Sequence, residues 1–160
     1  TVYFAMSKLE STLQASGSGV DLQQRYVLGQ RLDATDYADA TARVIDWANR
    51  GESRYVCLSN VHMVMQGWDD PNFRQIINAA DLITTDGVPL VWCLRALGVP
   101  SAVRVYGPDL TLHVFAAAAQ QQLPIGLYGG TAQSLKEFAD DDGIVACQHQ
   151  INADDTEKCG

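Results

Sequence analysis

The stretch Asp81-Leu82-Ile83-Thr84-Thr85-Asp86-Gly87-Val88-Pro89-Leu90-Val91-Trp92 decides how this chain is read. A short β-forming run ends in a carboxylate and a glycine, and an apolar segment of helical length follows. In open α/β sheets the ligand crevice lies outside the carboxyl ends of the strands. This layout therefore sets Asp86 at the mouth of such a crevice.

Working outward, Tyr55-Val56-Cys57-Leu58-Ser59 upstream and Ile125 to Tyr128 downstream have the same short, apolar make-up. Helical segments separate them. From Thr35 to Arg50, residues Tyr37, Ala40, Val44, Trp47 and Ala48 recur at helical spacing and Gly51 supplies a stop. Val61 to Gln66 can be helical, and Asp70-Pro71 opens a further helix to about Ala79, Asp as cap and Pro in the first turn. Val88 to Leu97, closed by Gly98 and Pro100, has almost no polar face and is expected to be buried. Leu110 to Gln122 and a last segment from the Gly129-Gly130-Thr131 turn to Ala139 complete the set. Strand and helix alternate three times, each strand apolar on both faces. That is the pattern of α/β architecture, a Rossmann-like parallel sheet covered by helices.

The same pass divides the chain. Residues 1–24, with Ser16-Gly17-Ser18-Gly19, read as a flexible lead-in, 25–140 as the core, and 141–160 as a disordered tail outside it. The first residue is Thr1 rather than Met, so a piece of a longer product is expected.

Composition narrows the function classes. With 160 residues, 47% of them hydrophobic, one domain can bury a sizeable core. A net charge of -8 and eleven basic residues provide no concentrated cationic footprint, which argues against nucleic acid as a partner. Cys57, Cys93, Cys147 and Cys159 have no zinc-ligand spacing, so reduced thiols are expected. Without a signal-peptide pattern or an apolar run long enough to span a bilayer, the expectation is a cytoplasmic protein.

Few residues could carry chemistry. Asp86 is either the N-cap of the apolar helix after it or a general base, and the two differ in the direction of its pKa: capping lowers it, whereas a base works best nearer the operating pH. Arg104, next to Tyr106-Gly107-Pro108-Asp109, is suited to gripping a phosphate through paired hydrogen bonds, or is a solvated surface arginine. Gly129 and Gly130 could turn backbone amides toward a phosphate. Asn60, at the end of a strand, could bind a base or sugar or simply cap a helix. His62 and His113 lack ligand spacing, and Trp47, Trp68 and Trp92 read as packing residues. GxGxxG and GxxxxGK[ST] are both missing.

Taken together, Tyr55 to Asn60, Asp81 to Trp92, Arg104-Val105-Tyr106-Gly107-Pro108-Asp109-Leu110 and Leu127-Tyr128-Gly129-Gly130-Thr131 resemble the WecG/TagA/CpsF glycosyltransferases, over roughly Tyr26 to Ala139. The resemblance implies an inverting transfer of an N-acetylmannosamine-like hexosyl group from a UDP-sugar to a lipid-diphosphate-linked sugar, in teichoic acid, common-antigen or exopolysaccharide synthesis. It implies Asp86 as catalytic base, Arg104 on the diphosphate, and Asn60, Gly107, Asp109, Gly129 and Gly130 around the nucleotide sugar. No cofactor is implied. The core carries no Asp-x-Asp pair, the run Asp140-Asp141-Asp142 lying at its far end, so metal independence is expected.

Two departures stand out. The family's Thr-x-Asn is Leu58-Ser59-Asn60 here, leaving Ser59 to substitute for the threonine hydroxyl. Family members also continue past this chain's end, with further strands and a basic segment that docks at the inner membrane face; Asp141 to Gly160 does not resemble that continuation. A missing half-sheet would expose apolar surface, so self-association is expected. An enzyme, a nucleotide-sugar-binding remnant without turnover and an interaction module are the readings that remain.

Overall fold

The computed structural model describes residues 22–126. The chain divides after Val114 into two compact units, and the first holds almost all of the described elements. It opens with an antiparallel hairpin, β1 (Gln24–Val27) and β2 (Gln30–Asp33), which the sequence reading did not find. There follow α1 (Tyr37–Asn49), β3 (Val56–Ser59), α2 (Val61–Asp69), α3 (Pro71–Asn78), β4 (Leu82–Thr85), α4 (Val88–Ala96) and α5 (Gly107–Gln120). The architecture is mixed α/β with a small parallel sheet, as expected. Of the third expected strand, Ile125 and Gly126 are not in a strand, and the rest, with Gly129, Gly130 and the last helix, lies outside the described residues.

β3 and β4 pair in parallel, from Val56 opposite Leu82 to Ser59 opposite Thr85. Every residue of both strands is buried. Side-chain alternation divides them between two cores. Cys57 and Ile83 join Leu32 of β2, Met63 and Val64 of α2, Ile77 of α3 and Leu90, Val91 and Leu94 of α4. Val56, Leu58 and Leu82 pack with Ala40 and Val44 of α1 and Leu110 and Val114 of α5. Helices thus cover both faces, which is why these strands carry no polar alternation.

Local chemistry sets the helix boundaries. Asp36, Asn60 and Asp70 each accept an amide N–H in the first turn of α1, α2 and α3. Gly51 and Gly98, at φ of 67° and 89°, turn the chain after α1 and α4. α5 starts at Gly107 rather than Leu110, since Pro108 and Asp109 suit a first turn better than a loop. α4 corrects an expectation: only Leu90, Val91 and Leu94 face the core, while Trp92 is 64% exposed. Trp68 is 55% exposed, so of the three tryptophans only Trp47 packs against a core cluster.

The hairpin is fastened by polar contacts. Asp33 is fully buried, and its Oδ2 accepts the Ile83 N–H of β4 at 2.7 Å. Arg31 lies 3.1 Å from the other carboxylate oxygen and donates to the carbonyls of Asn78 and Ala80 at the end of α3. Leu28 and Gly29 form the two-residue turn, both at positive φ (49° and 82°). The left-handed region costs a branched L-residue about 1 kcal/mol, and Asn-Gly is the favoured pair in such a turn. Leu28→Asn is therefore expected to raise unfolding stability by about 0.5–1 kcal/mol, measurable in urea.

Candidate functional site

The site forms where three helices begin. After β3 the chain passes through Asn60 into α2, and after β4 through Asp86 and Gly87 into α4. The Asp86 N–H donates to Ser59 O at 2.8 Å, carrying the pairing of the strands one residue further. A Cβ at Gly87 would lie 3.8 Å from Asn60 Cα, so the starts of α2 and α4 are adjacent. The third helix is α5. Its approach, Val103 to Val105, runs beside β4, with the Thr85 hydroxyl donating to Val103 O at 2.9 Å and the Val105 N–H to Thr85 O at 2.9 Å.

That approach brings α5 onto Asp86. The carboxylate does not cap the helix following it: the N-cap of α4 is Gly87, with no side-chain hydrogen bond. It accepts instead the amide N–H of Gly107, first residue of α5. A Cβ at Gly107 would stand 2.9 Å from Leu58 Cδ1 and 3.6 Å from Asp86 Oδ2, so the bare backbone is what lets the helix come this close.

Arg104 reaches the same acid from the other side. Its Nε donates to Asp86 O at 2.7 Å, Nη2 lies 3.4 Å from Oδ1, and the guanidinium stacks 4.4 Å above the Tyr106 ring. The arginine side chain is 44% exposed and that of Asp86 18%. Nη1 has no hydrogen-bond partner among the described residues, so the cation can still receive a ligand.

Burial pushes the Asp86 carboxyl above its ordinary value, outweighing the opposite pull of the Arg104 charge and the Gly107 amide; the nearby Asp109 charge adds to the rise. This is the direction of a base rather than of a cap. Asp33 is also raised, by burial first, but its contacts are with Arg31 and the Ile83 amide inside the fold. That acid is a fastener. Burial likewise raises the free Cys57 thiol to about 11, which leaves it inert at neutral pH.

The expected site residues are only partly gathered. Asp86, Arg104 and Gly107 meet directly. Asp109, in the first turn of α5, accepts a hydrogen bond from the Tyr37 hydroxyl at 3.2 Å. Asn60 is exposed at the rim, with its Oδ1 accepting the Met63 N–H at 3.0 Å. Gly129 and Gly130 lie outside the described residues. Ser59 does not replace the missing threonine hydroxyl: it is fully buried, and its oxygen accepts from Gln30 Nε2, while Leu58 on the opposite face packs against Gly107. In the sequence Tyr37 is marked only by its helical spacing with Ala40, Val44, Trp47 and Ala48; its hydroxyl also accepts the Tyr106 N–H at 3.0 Å. No sequence spacing signals a contact made from so far along the chain.

Residues 25–143 match the glycosyl transferase WecG/TagA/CpsF family. The chain belongs to that family. Among curated proteins it is similar to the N-acetylglucosaminyldiphosphoundecaprenol N-acetyl-beta-D-mannosaminyltransferase of Bacillus spizizenii, at 21% identity over 91 residues. The match takes in 57% of this chain and 35% of that protein, so it spans about a third of the relative's length.

The raised carboxyl has a thermodynamic consequence. A folded-state pKa above the unfolded value means the native state binds the proton more tightly, so the Asp86 contribution to stability falls as pH rises from about 3.8 through the raised pKa. Asp86→Asn, which removes the charge and keeps one acceptor oxygen, is therefore expected to stabilise the chain at neutral pH and to lose that advantage in acid. Urea unfolding of both forms across that range measures it.

Proposed function

We propose that this site transfers a hexosyl group, N-acetylmannosamine-like, from a UDP-sugar to a lipid-diphosphate-linked sugar. The observation that carries the reading is the meeting of one raised carboxyl, one partly exposed guanidinium and three helix starts at the carboxyl end of a parallel sheet. Helix N-termini favour anions, and a nucleoside diphosphate is the anion that a glycosyl donor brings.

Asp86 takes the proton of the acceptor hydroxyl as its oxygen bonds to the anomeric carbon. The bond from that carbon to the diphosphate breaks, and its electron pair leaves with UDP. Arg104 and the α5 start stabilise the charge that grows on the leaving group. Attack opposite the leaving group inverts the centre, so an α-linked donor gives a β product, the configuration in the relative's name. Asn60 and Asp109 hold sugar or nucleotide hydroxyls at the rim, and the Gly129-Gly130 turn supplies further amides to the diphosphate.

A protein cation can do this work without a metal. No helix of the described residues is long and apolar enough to cross a membrane. In this reading the lipid-linked acceptor is met from the cytoplasmic side, at the membrane surface. Exposed Trp68, Ile76 and Trp92 leave apolar surface through which copies of the chain associate.

A UDP-release assay with UDP-N-acetylmannosamine and a lipid-diphosphate acceptor tests the enzyme. Release is expected, with a fall of about 10²–10⁴-fold on Asp86→Asn. No release by the unmutated chain excludes turnover. Calorimetry separates binding from chemistry: Arg104→Ala should weaken UDP by about tenfold or more, the loss of charge-assisted hydrogen bonds. UDP binding without transfer supports the remnant reading, and no binding leaves the interaction module.

A further inference from the structure

Tyr37 is the first residue of α1, yet its hydroxyl reaches the segment that builds the site. It accepts the Tyr106 N–H at 3.0 Å and donates to Asp109 Oδ2 at 3.2 Å. Its ring lies against His113, one helical turn beyond Asp109, at a centroid distance of 5.1 Å. The hydroxyl thus ties together the two residues that flank Gly107 and Pro108. Just before them stands Arg104, stacked on the Tyr106 ring.

We propose that Tyr37 is a positioning residue for the transfer site, its hydroxyl holding the Arg104-to-Asp109 segment so that Arg104 and the Gly107 amide both meet Asp86. The proposal rests on the function given above and adds a residue to it from outside the segments that carry the family resemblance.

The charges around the pair are few. Asp86 faces Arg104 from the segment before α5, and Gly107 and Asp109 from α5 itself. Tyr37 faces Asp109 and His113, also on α5. On its own side, Asp36 accepts the Asp39 N–H, and Asp39 is paired with Arg43 and accepts from the Thr35 hydroxyl. No acid of α1 is seen to compete for the Tyr37 hydroxyl.

The chemistry fixes the direction of the effect. Without the hydroxyl, the Tyr106 amide loses its acceptor and Asp109 loses a donor that damps its charge. The segment loosens, so Arg104 and Gly107 stabilise the Asp86 carboxylate less, while Asp109 opposes it more. Both changes push Asp86 further up.

Carbon-13 NMR of the side-chain carboxyls in the full 160-residue chain reads this without turnover or UDP. The Asp86 resonance is assigned by its loss in Asp86→Asn. Tyr37→Phe keeps the ring against His113 and removes only the oxygen. Its Asp86 midpoint is expected to rise by several tenths of a unit to about one unit. An unchanged midpoint in a natively folded Tyr37→Phe overturns the proposal. A second readout needs no variant: the Tyr106 amide of the unmutated chain should be protected from hydrogen exchange, and exchange at the unprotected rate also overturns it. If both hold and no transfer is detected, the function is what fails and the positioning stands.

Discussion

The parallel pairing of β3 and β4 is the constraint on which the rest of this structure depends. It continues past the strands through the Asp86 amide and the Ser59 carbonyl. That last hydrogen bond fixes the backbone of the acid, and so the point at which α4 departs. Because both strands are buried on both faces, helices must cover each side, and the starts of α2, α4 and α5 are drawn to one end of the sheet. An apolar requirement of the sheet thereby gathers polar groups at its mouth.

Close approach of α5 is the second consequence. Gly107 has room for no Cβ against Leu58, and in exchange its free amide reaches Asp86. The acid receives one amide and one guanidinium, yet burial still outweighs them and keeps its proton affinity raised. A carboxylate held this way opposes folding at neutral pH and is better prepared to accept a proton. The buried Asp33 shows the contrast. Its surroundings also raise its pKa, but its oxygens face an arginine and a strand amide of the fold, so it joins the hairpin to β4.

Much of the framework was legible along the chain. The α1 boundaries follow from helical spacing and the Gly51 stop, β4 from its β-branched run, and α3 from Asp70-Pro71, because each signal lies within a few residues of the structure it dictates. The hairpin was not legible: its turn is Leu28-Gly29 rather than Asn-Gly, and its strands carry Gln24, Arg25, Gln30 and Arg31. The contacts of Arg25, Gln30 and Arg31 with Leu97, Ser59 and Asn78 reach 29 to 72 residues along the chain. The exposure of Trp68 and Trp92 was likewise invisible, since periodicity identifies an apolar face without saying whether anything covers it.

By itself the sequence determined the parallel α/β framework, the position of Asp86 after a buried strand and the family, all of which rest on short-range chemistry and on the order of motifs. Tertiary structure alone decided what Asp86 does with its carboxylate. Its own helix was the nearest candidate, but the amide it accepts belongs to Gly107 and the cation beside it to Arg104. Tyr37 arrives from still further off. These contacts join residues far apart in the chain, whose distances are set by how the helices pack on the two faces of the sheet, and no local propensity encodes them.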